Sequence, residues 1–69
     1  MILSEEIKNI KNGAKIIVEL TDGDSLTGEF EDYTSAINND PAIASIDLKT
    51  EEGIYELYEN EIKAIKVLE

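Results

Sequence analysis

The side chains that most often carry out covalent catalysis are missing from this sequence of 69 residues, which contains no histidine and no cysteine. A nucleophile would have to be a serine or threonine activated by a lysine or a carboxylate. The serines lie in no recognisable nucleophile motif, and Asp22 and Asp24 occupy a turn in which aspartate is favoured for backbone reasons. We therefore expect no enzymatic activity and no cofactor.

Oxygen ligands for a hard cation are more plentiful than nucleophiles. The candidates are Asp22, Asp24, Asn38 and Asp40. A calcium loop supplies six or more oxygens around one centre at fixed spacing, and these residues do not match that spacing. We predict no specific metal site, only weak attraction of cations to an acidic surface.

Charge is the most informative feature of the composition. Asp and Glu together number 16 against 6 basic residues, all lysine, so the formal net charge is −10. Such a field repels phosphate backbones and anionic membranes and slows encounters with both. Two interpretations stay open: the charge keeps a small domain soluble, or it attracts a basic partner protein.

The sequence has no feature of a membrane or exported protein. No apolar run approaches the roughly 20 residues that a membrane span needs. The first residues, MILSEE, lack the basic flank and apolar stretch of a signal peptide. We expect no membrane contact and a cytoplasmic location.

Residues 4–11 have the pattern of a short amphipathic helix. Leu3, Ile7 and Ile10 recur at helical spacing, and Ser4 is of the type that caps a helix N-terminus. An isolated helix of this length is unstable in water, so we expect it to pack on the rest of the domain.

From residue 14 onward the apolar residues alternate with polar ones, which predicts strands at about 14–20, 25–33, 42–49, 54–58 and 62–68. Gly28 shares one face of the second strand with Leu26 and Phe30, where a glycine marks a sharp bend or a close backbone approach. We therefore predict a mainly β fold, a short N-terminal helix followed by a five-stranded, strongly bent barrel, in one domain of residues 1–69.

Two segments carry a resemblance to a known family. LTDGDSLTGEFEDY (residues 20–33) has a strand, an Asp-Gly turn, a glycine in the second strand and then an aromatic residue; YENEIKAI (residues 58–65) has a strand, a tight turn and another strand. In this order they resemble the two motifs of the Sm-like family. The resemblance implies an SH3-like barrel and a link to RNA metabolism.

The same resemblance implies a site for single-stranded RNA. Its residues by this alignment are Asp32, Thr34 and Asn38. The position of the base-stacking side chain holds Ala36, and that of the family arginine holds Glu59 or Asn60. Since stacking and cationic contacts supply most of such affinity, we expect RNA to bind weakly. Asn38 also has a structural interpretation, because Asn-Asn-Asp before a proline is typical of a loop.

Family members assemble into rings by pairing the fourth strand of one subunit with the fifth strand of the next. The residues that would form this homo-oligomeric seam are Ile54, Tyr55, Tyr58, Ile62 and Ile65. A net charge of −10 on each subunit opposes such assembly at low salt.

The sequence thus predicts a non-catalytic Sm-like binding or assembly module, associated with RNA metabolism but with a weakened RNA site. The alternative is an acidic regulator that docks on a basic, nucleic-acid-binding partner protein. A small acidic bacterial family that inhibits the termination factor Rho has a similar strand-Asp-Gly-strand block, and that similarity suggests the alternative.

Overall fold

The computed structural model describes residues 1–68, and Glu69, the last residue of the predicted domain, lies outside them. The chain is mainly β, as predicted. Its elements are α1 (Leu3–Ile7), β1 (Lys15–Leu20), β2 (Ser25–Thr34), a 3₁₀ turn (Ala36–Asn38), β3 (Ser45–Thr50), β4 (Gly53–Tyr58), a second 3₁₀ turn (Glu59–Glu61) and β5 (Ile62–Val67). Within the described residues, no helix has the length and apolar character needed to cross a bilayer.

The strands form one antiparallel sheet in the order β4-β3-β2-β1-β5. β4 and β5 therefore lie at opposite edges, although only the three residues Glu59–Glu61 connect them. In a flat sheet these edges would be about 19 Å apart, whereas a 3₁₀ turn of this length advances about 8 Å. The sheet must curl until its two edges approach each other at this connection, which gives the strongly bent sheet that the sequence predicts.

β2 is the strand on which the curl depends, because it changes partner along its length. Residues 25–29 pair with β1, and residues 29–34 pair with β3, with a register shift between Phe30 and Asp32 that marks a β-bulge. A bulge bends its strand and increases the local twist. At Gly28 an added Cβ would collide with the Lys49 carbonyl oxygen of β3. The predicted close backbone approach at this glycine is confirmed.

The core is formed by the inner faces of the strands together with Leu3 of α1 and Ala44 of the loop before β3. Its buried residues are Leu3, Ile16, Val18, Phe30, Ala44, Ile46, Leu48, Leu57 and Ile62. Leu26 is only partly buried against this cluster. It lies in the half of β2 that has left β3, so one side of its neighbourhood is open.

The helix is shorter than the predicted residues 4–11, and Ser4 is not its N-cap. The N-cap residue is Ile2, which makes no side-chain capping hydrogen bond. Instead the Leu3 N–H donates to Glu59 Oε2 at 2.6 Å. The free donor at the start of the helix is therefore satisfied from the β4–β5 connection, by a residue distant in sequence.

β3 begins at Ser45 rather than near residue 42. The preceding loop takes up the backbone groups that a longer strand would have used, because Ile43 N–H donates to the Pro41 carbonyl. The Ile43 carbonyl in turn accepts from Asn39 Nδ2 at 2.7 Å. Ala44, Ile46 and Leu48 are all buried, as the predicted alternation requires, and Ser45 between two of them is buried as well.

Candidate functional site

The three residues that the resemblance assigns to RNA lie at the end of β2 and just beyond it. Asp32 and Thr34 share the outer face of the sheet, where they stand opposite Asp47 and Ser45 of β3. Asn38 ends the first 3₁₀ turn, and its Nδ2 donates to Ser35 Oγ at 3.1 Å. This hydrogen bond fits the structural interpretation of Asn38, as a turn residue, that the sequence offers beside the RNA interpretation.

Three carboxylates lie directly opposite one another across three strands. Asp32 of β2 pairs with Asp47 of β3, and Asp47 pairs with Glu56 of β4. We call these three residues the acidic row. Like charges at directly opposed positions of a sheet destabilise it. The row therefore weakens the fold that displays it.

The charges of the acidic row affect the pKa of its central residue. Burial raises the pKa of Asp47, and the charges of Glu56, Asp32 and Glu31 raise it further. At the end of β4, burial and then the charges of Glu56 and Glu61 raise the pKa of Tyr58. The negative potential thus extends from the bulge in β2 to the last residue of β4.

A buried serine holds one end of the acidic row in place. Ser45 is fully buried, and its Oγ donates to Glu56 Oε2 at 2.9 Å. The same Oγ accepts from Asn39 Nδ2 at 2.9 Å. Because the Asn39 side chain is also tied to the loop, the carboxylate of Glu56 has a fixed orientation on the outer face.

Sequence reasoning missed Asp47, Glu56 and Ser45 as parts of a surface. The pairing of Asp47 with Glu56 could have been predicted from the sequence. A two-residue turn at Glu51–Glu52 pairs Thr50 with Gly53, and three residues further along each strand Asp47 lies opposite Glu56. The position of Asp32 beside Asp47 could not be read in this way. It depends on the bulge in β2 and on the loop between β2 and β3.

The residues predicted for a subunit seam lie in different environments. Ile54 is 61% exposed and Tyr55 is 37% exposed, both on β4. Tyr58 and Ile65 are half-buried, and Ile62 packs in the core. In this chain β4 therefore offers more side-chain contact to a partner than the start of β5 does.

A groove of about 670 Å³ opens where the first half of β2 separates from the β3–β4 hairpin. Its lining includes Lys15 and Lys49, but also the carboxylates of Glu29, Glu51 and Glu52. Charges of both signs are mixed here, so the groove favours neither anions nor cations. The acidic row, by contrast, presents one sign of charge.

No group of three or more carboxylates among residues 1–68 is arranged to hold a metal ion. Carboxylates at opposed strand positions point outward side by side, whereas a hard cation needs oxygens that converge from several directions. Carboxylates placed side by side in this way can each form an ion pair with a cationic group.

We expect Asp47→Asn to stabilise the protein at pH 7 by about 0.5–1 kcal/mol, because it removes a charge that faces two others. A carboxyl group whose folded-state pKa is raised above its ordinary value of 3.8 destabilises the fold when ionised. The advantage of the variant should therefore shrink as the pH falls through that raised pKa and vanish well below 3.8. Urea unfolding of both proteins between pH 3 and pH 7 measures this.

The matched control is Asp24→Asn, which changes the net charge equally but lies between β1 and β2, outside the strands. It should leave the stability at pH 7 within about 0.5 kcal/mol of the parent. Equal stabilisation by both variants would mean that overall charge, and not the acidic row, carries the effect.

Comparisons with protein-family models, with curated proteins and with solved structures find no significant match to this chain, so the Sm-like resemblance stays a prediction.

Proposed function

We propose that this protein is a non-catalytic binding module that docks through the acidic row on a basic surface of a partner protein, of the kind that contacts nucleic acid. The observation that carries the proposal is the placement of Asp32, Asp47 and Glu56 opposite one another across three strands. A like-charged arrangement that costs stability is typical of a functional surface.

The carboxylates of the row are available to an incoming cation. The ion pairs among residues 1–68 are Lys8–Glu5 and Lys66–Glu19, and neither involves the row. A lysine or arginine from a partner would relieve the repulsion between the carboxylates as well as form a new ion pair. Binding energy is therefore gained from a strain already present in the free protein.

The charge of the whole molecule favours the same kind of partner. With a formal net charge of −10, encounters with basic surfaces are accelerated, and those with phosphate backbones are slowed. Association steered in this way weakens strongly with added salt. We place this activity in the cytoplasm, the compartment expected from the sequence.

The test is a titration of isotope-labelled protein, followed by amide NMR shifts, with a lysine octamer and separately with oligo(U). We expect the octamer to shift the amides around Asp32, Asp47 and Glu56 most, with affinity lost between 50 and 300 mM salt, and oligo(U) to cause no comparable change. Shifts of equal size around Glu5, Glu6, Asp22 and Asp24 would indicate diffuse attraction of cations and would contradict the proposal.

A second candidate function is the Sm-like ring module with weak RNA binding. It is favoured by the two edges of the sheet, since β4 carries Glu56 and follows Glu51-Glu52, whereas β5 carries Lys63 and Lys66. Edges of opposite charge suit head-to-tail pairing between copies. A hexameric or heptameric native mass, with oligo(U) binding that Asn38→Ala abolishes, would support this candidate; a monomer that does not bind oligo(U) would exclude it.

A further inference from the structure

β4 has an open side along its outer edge. Glu59 N–H donates to the Ala44 carbonyl, and hydrogen-bonded pairs alternate along an antiparallel ladder. Glu59 and every second residue before it therefore bond to the segment of β3, so the residues between them, Ile54, Glu56 and Tyr58, direct their backbone N–H and C=O groups away from β3. The Tyr58 N–H donates to Glu61 Oε1, while Ile54 and Glu56 pair with no further strand among residues 1–68.

The two edges of the sheet differ in their protection against strand addition. β5 has a register irregularity next to Lys63, which discourages regular pairing, and its two lysines repel a cationic segment of the kind that the proposed function requires. β4 has neither lysine nor proline, and it pairs with β3 over six consecutive positions without a shift. A regular, unprotected edge is a ready template for an added strand.

The side chains along this edge define what a suitable strand would carry. On the outer face, Glu56 ends the acidic row, and the exposed Ile54 precedes it on the same face. Tyr55 lies on the opposite face, across from the buried Leu48 of β3. A segment that alternates basic with apolar residues would place a cation opposite Glu56 and apolar groups beside Tyr55.

We infer that β4 accepts an extended segment of the basic partner as a sixth strand, with a lysine or arginine opposite Glu56. The inference rests on the proposed function and adds the mode of recognition to it. Backbone hydrogen bonds with Ile54 and Glu56 supply a contact independent of sequence, while the acidic row selects a cationic segment.

The experiment uses a blocked peptide, Lys-Val-Lys-Val-Lys-Val-Lys, and the same peptide N-methylated at its three central residues. N-methylation removes backbone donors on both edges of the peptide and leaves its charge unchanged. We expect the methylated peptide to bind at least about tenfold more weakly in calorimetry, because several hydrogen bonds are lost. Hydrogen exchange should slow at the amides of Ile54 and Glu56 in the complex with the unmodified peptide.

Two variants of the protein give a matched comparison. Ile54→Pro removes an outward N–H that the ladder with β3 does not use, and Ile54→Thr keeps that donor while removing the apolar side chain. We expect the proline variant to lose about tenfold in affinity and the threonine variant to lose less than about threefold. Should the proline variant prove unstable, the methylated peptide still decides the question on the unaltered protein.

The outcomes separate this inference from the proposed function. Equal binding of both peptides at the acidic row would overturn strand addition and leave the docking function intact. If neither peptide bound and the lysine octamer caused no amide NMR shifts, both strand addition and the proposed docking function would be overturned. Slowed hydrogen exchange at the amides of Ile65 and Val67 in β5, or a dimer in which the amides of β4 and β5 are protected together, would mean that the β4 edge pairs with a second copy of the chain. Either result would overturn the inference.

Discussion

Gly28→Ala should lower the free energy of unfolding by about 3 kcal/mol, the upper part of the range for overpacking a closed interior. The added Cβ would overlap the Lys49 carbonyl oxygen and lie 3.0 Å from Leu48 Cγ. The nearest obstacle is backbone, so a side-chain rotation cannot relieve it, and β2 would have to move away from β3. Since β2 changes partner within one residue of this position, the movement would open the curl of the sheet.

Two neighbouring substitutions serve as controls for this prediction, measured by urea unfolding. Gly23→Ala meets no atom within 4 Å, but its φ of +98° is strained for alanine, so we expect a cost of about 1–2 kcal/mol. Thr27→Ala, at an exposed position beside Gly28, should cost less than about 1 kcal/mol. If Gly28→Ala were no more destabilising than Thr27→Ala, the close approach of β2 and β3 would not be what holds the sheet in its curl.

The sequence was sufficient to predict features that depend on neighbours along the chain. Alternation located all five strands, and the glycine at position 28 identified the bend because only a missing side chain permits two backbones to come so close. The two-residue turn at Glu51–Glu52 determines the register of β3 against β4. In each case the deciding interaction lies within a few residues or follows from a single residue type.

Features that depend on distant partners could not be predicted in this way. The N-terminal donor of α1 is satisfied by Glu59, so a local search for a capping residue selected Ser4 instead. The pairing of Asp32 with Asp47 crosses ten loop residues and a bulge, each of which changes which face a side chain occupies. Asn38 differs from these cases, because its residue type suits both a ligand contact and the turn in which Nδ2 donates to Ser35 Oγ, so its role toward RNA stays a prediction.

The acidic row leads to a prediction in which stability and binding move in opposite directions. In the triple variant Asp32→Asn, Asp47→Asn, Glu56→Gln, each amide oxygen keeps the acceptor role of the carboxylate, including that toward Ser45. We expect the free energy of unfolding to rise by about 1 kcal/mol, because two like-charged cross-strand pairs are removed. Affinity for the lysine octamer should fall by about tenfold to a hundredfold, since up to three ion pairs are lost.

The control for the triple variant is Glu6→Gln, Asp24→Asn, Glu29→Gln, which changes the net charge by the same amount at exposed positions outside the row. If binding depended on net charge alone, both triple variants would lose affinity equally, and the acidic row would have no special role. If the row were merely tolerated, its removal would raise stability and leave binding at the level of the control. A stabilised protein that binds the octamer much more weakly than the control would fit a row retained for recognition, because the same repulsion that weakens the free fold is relieved when a cationic partner arrives.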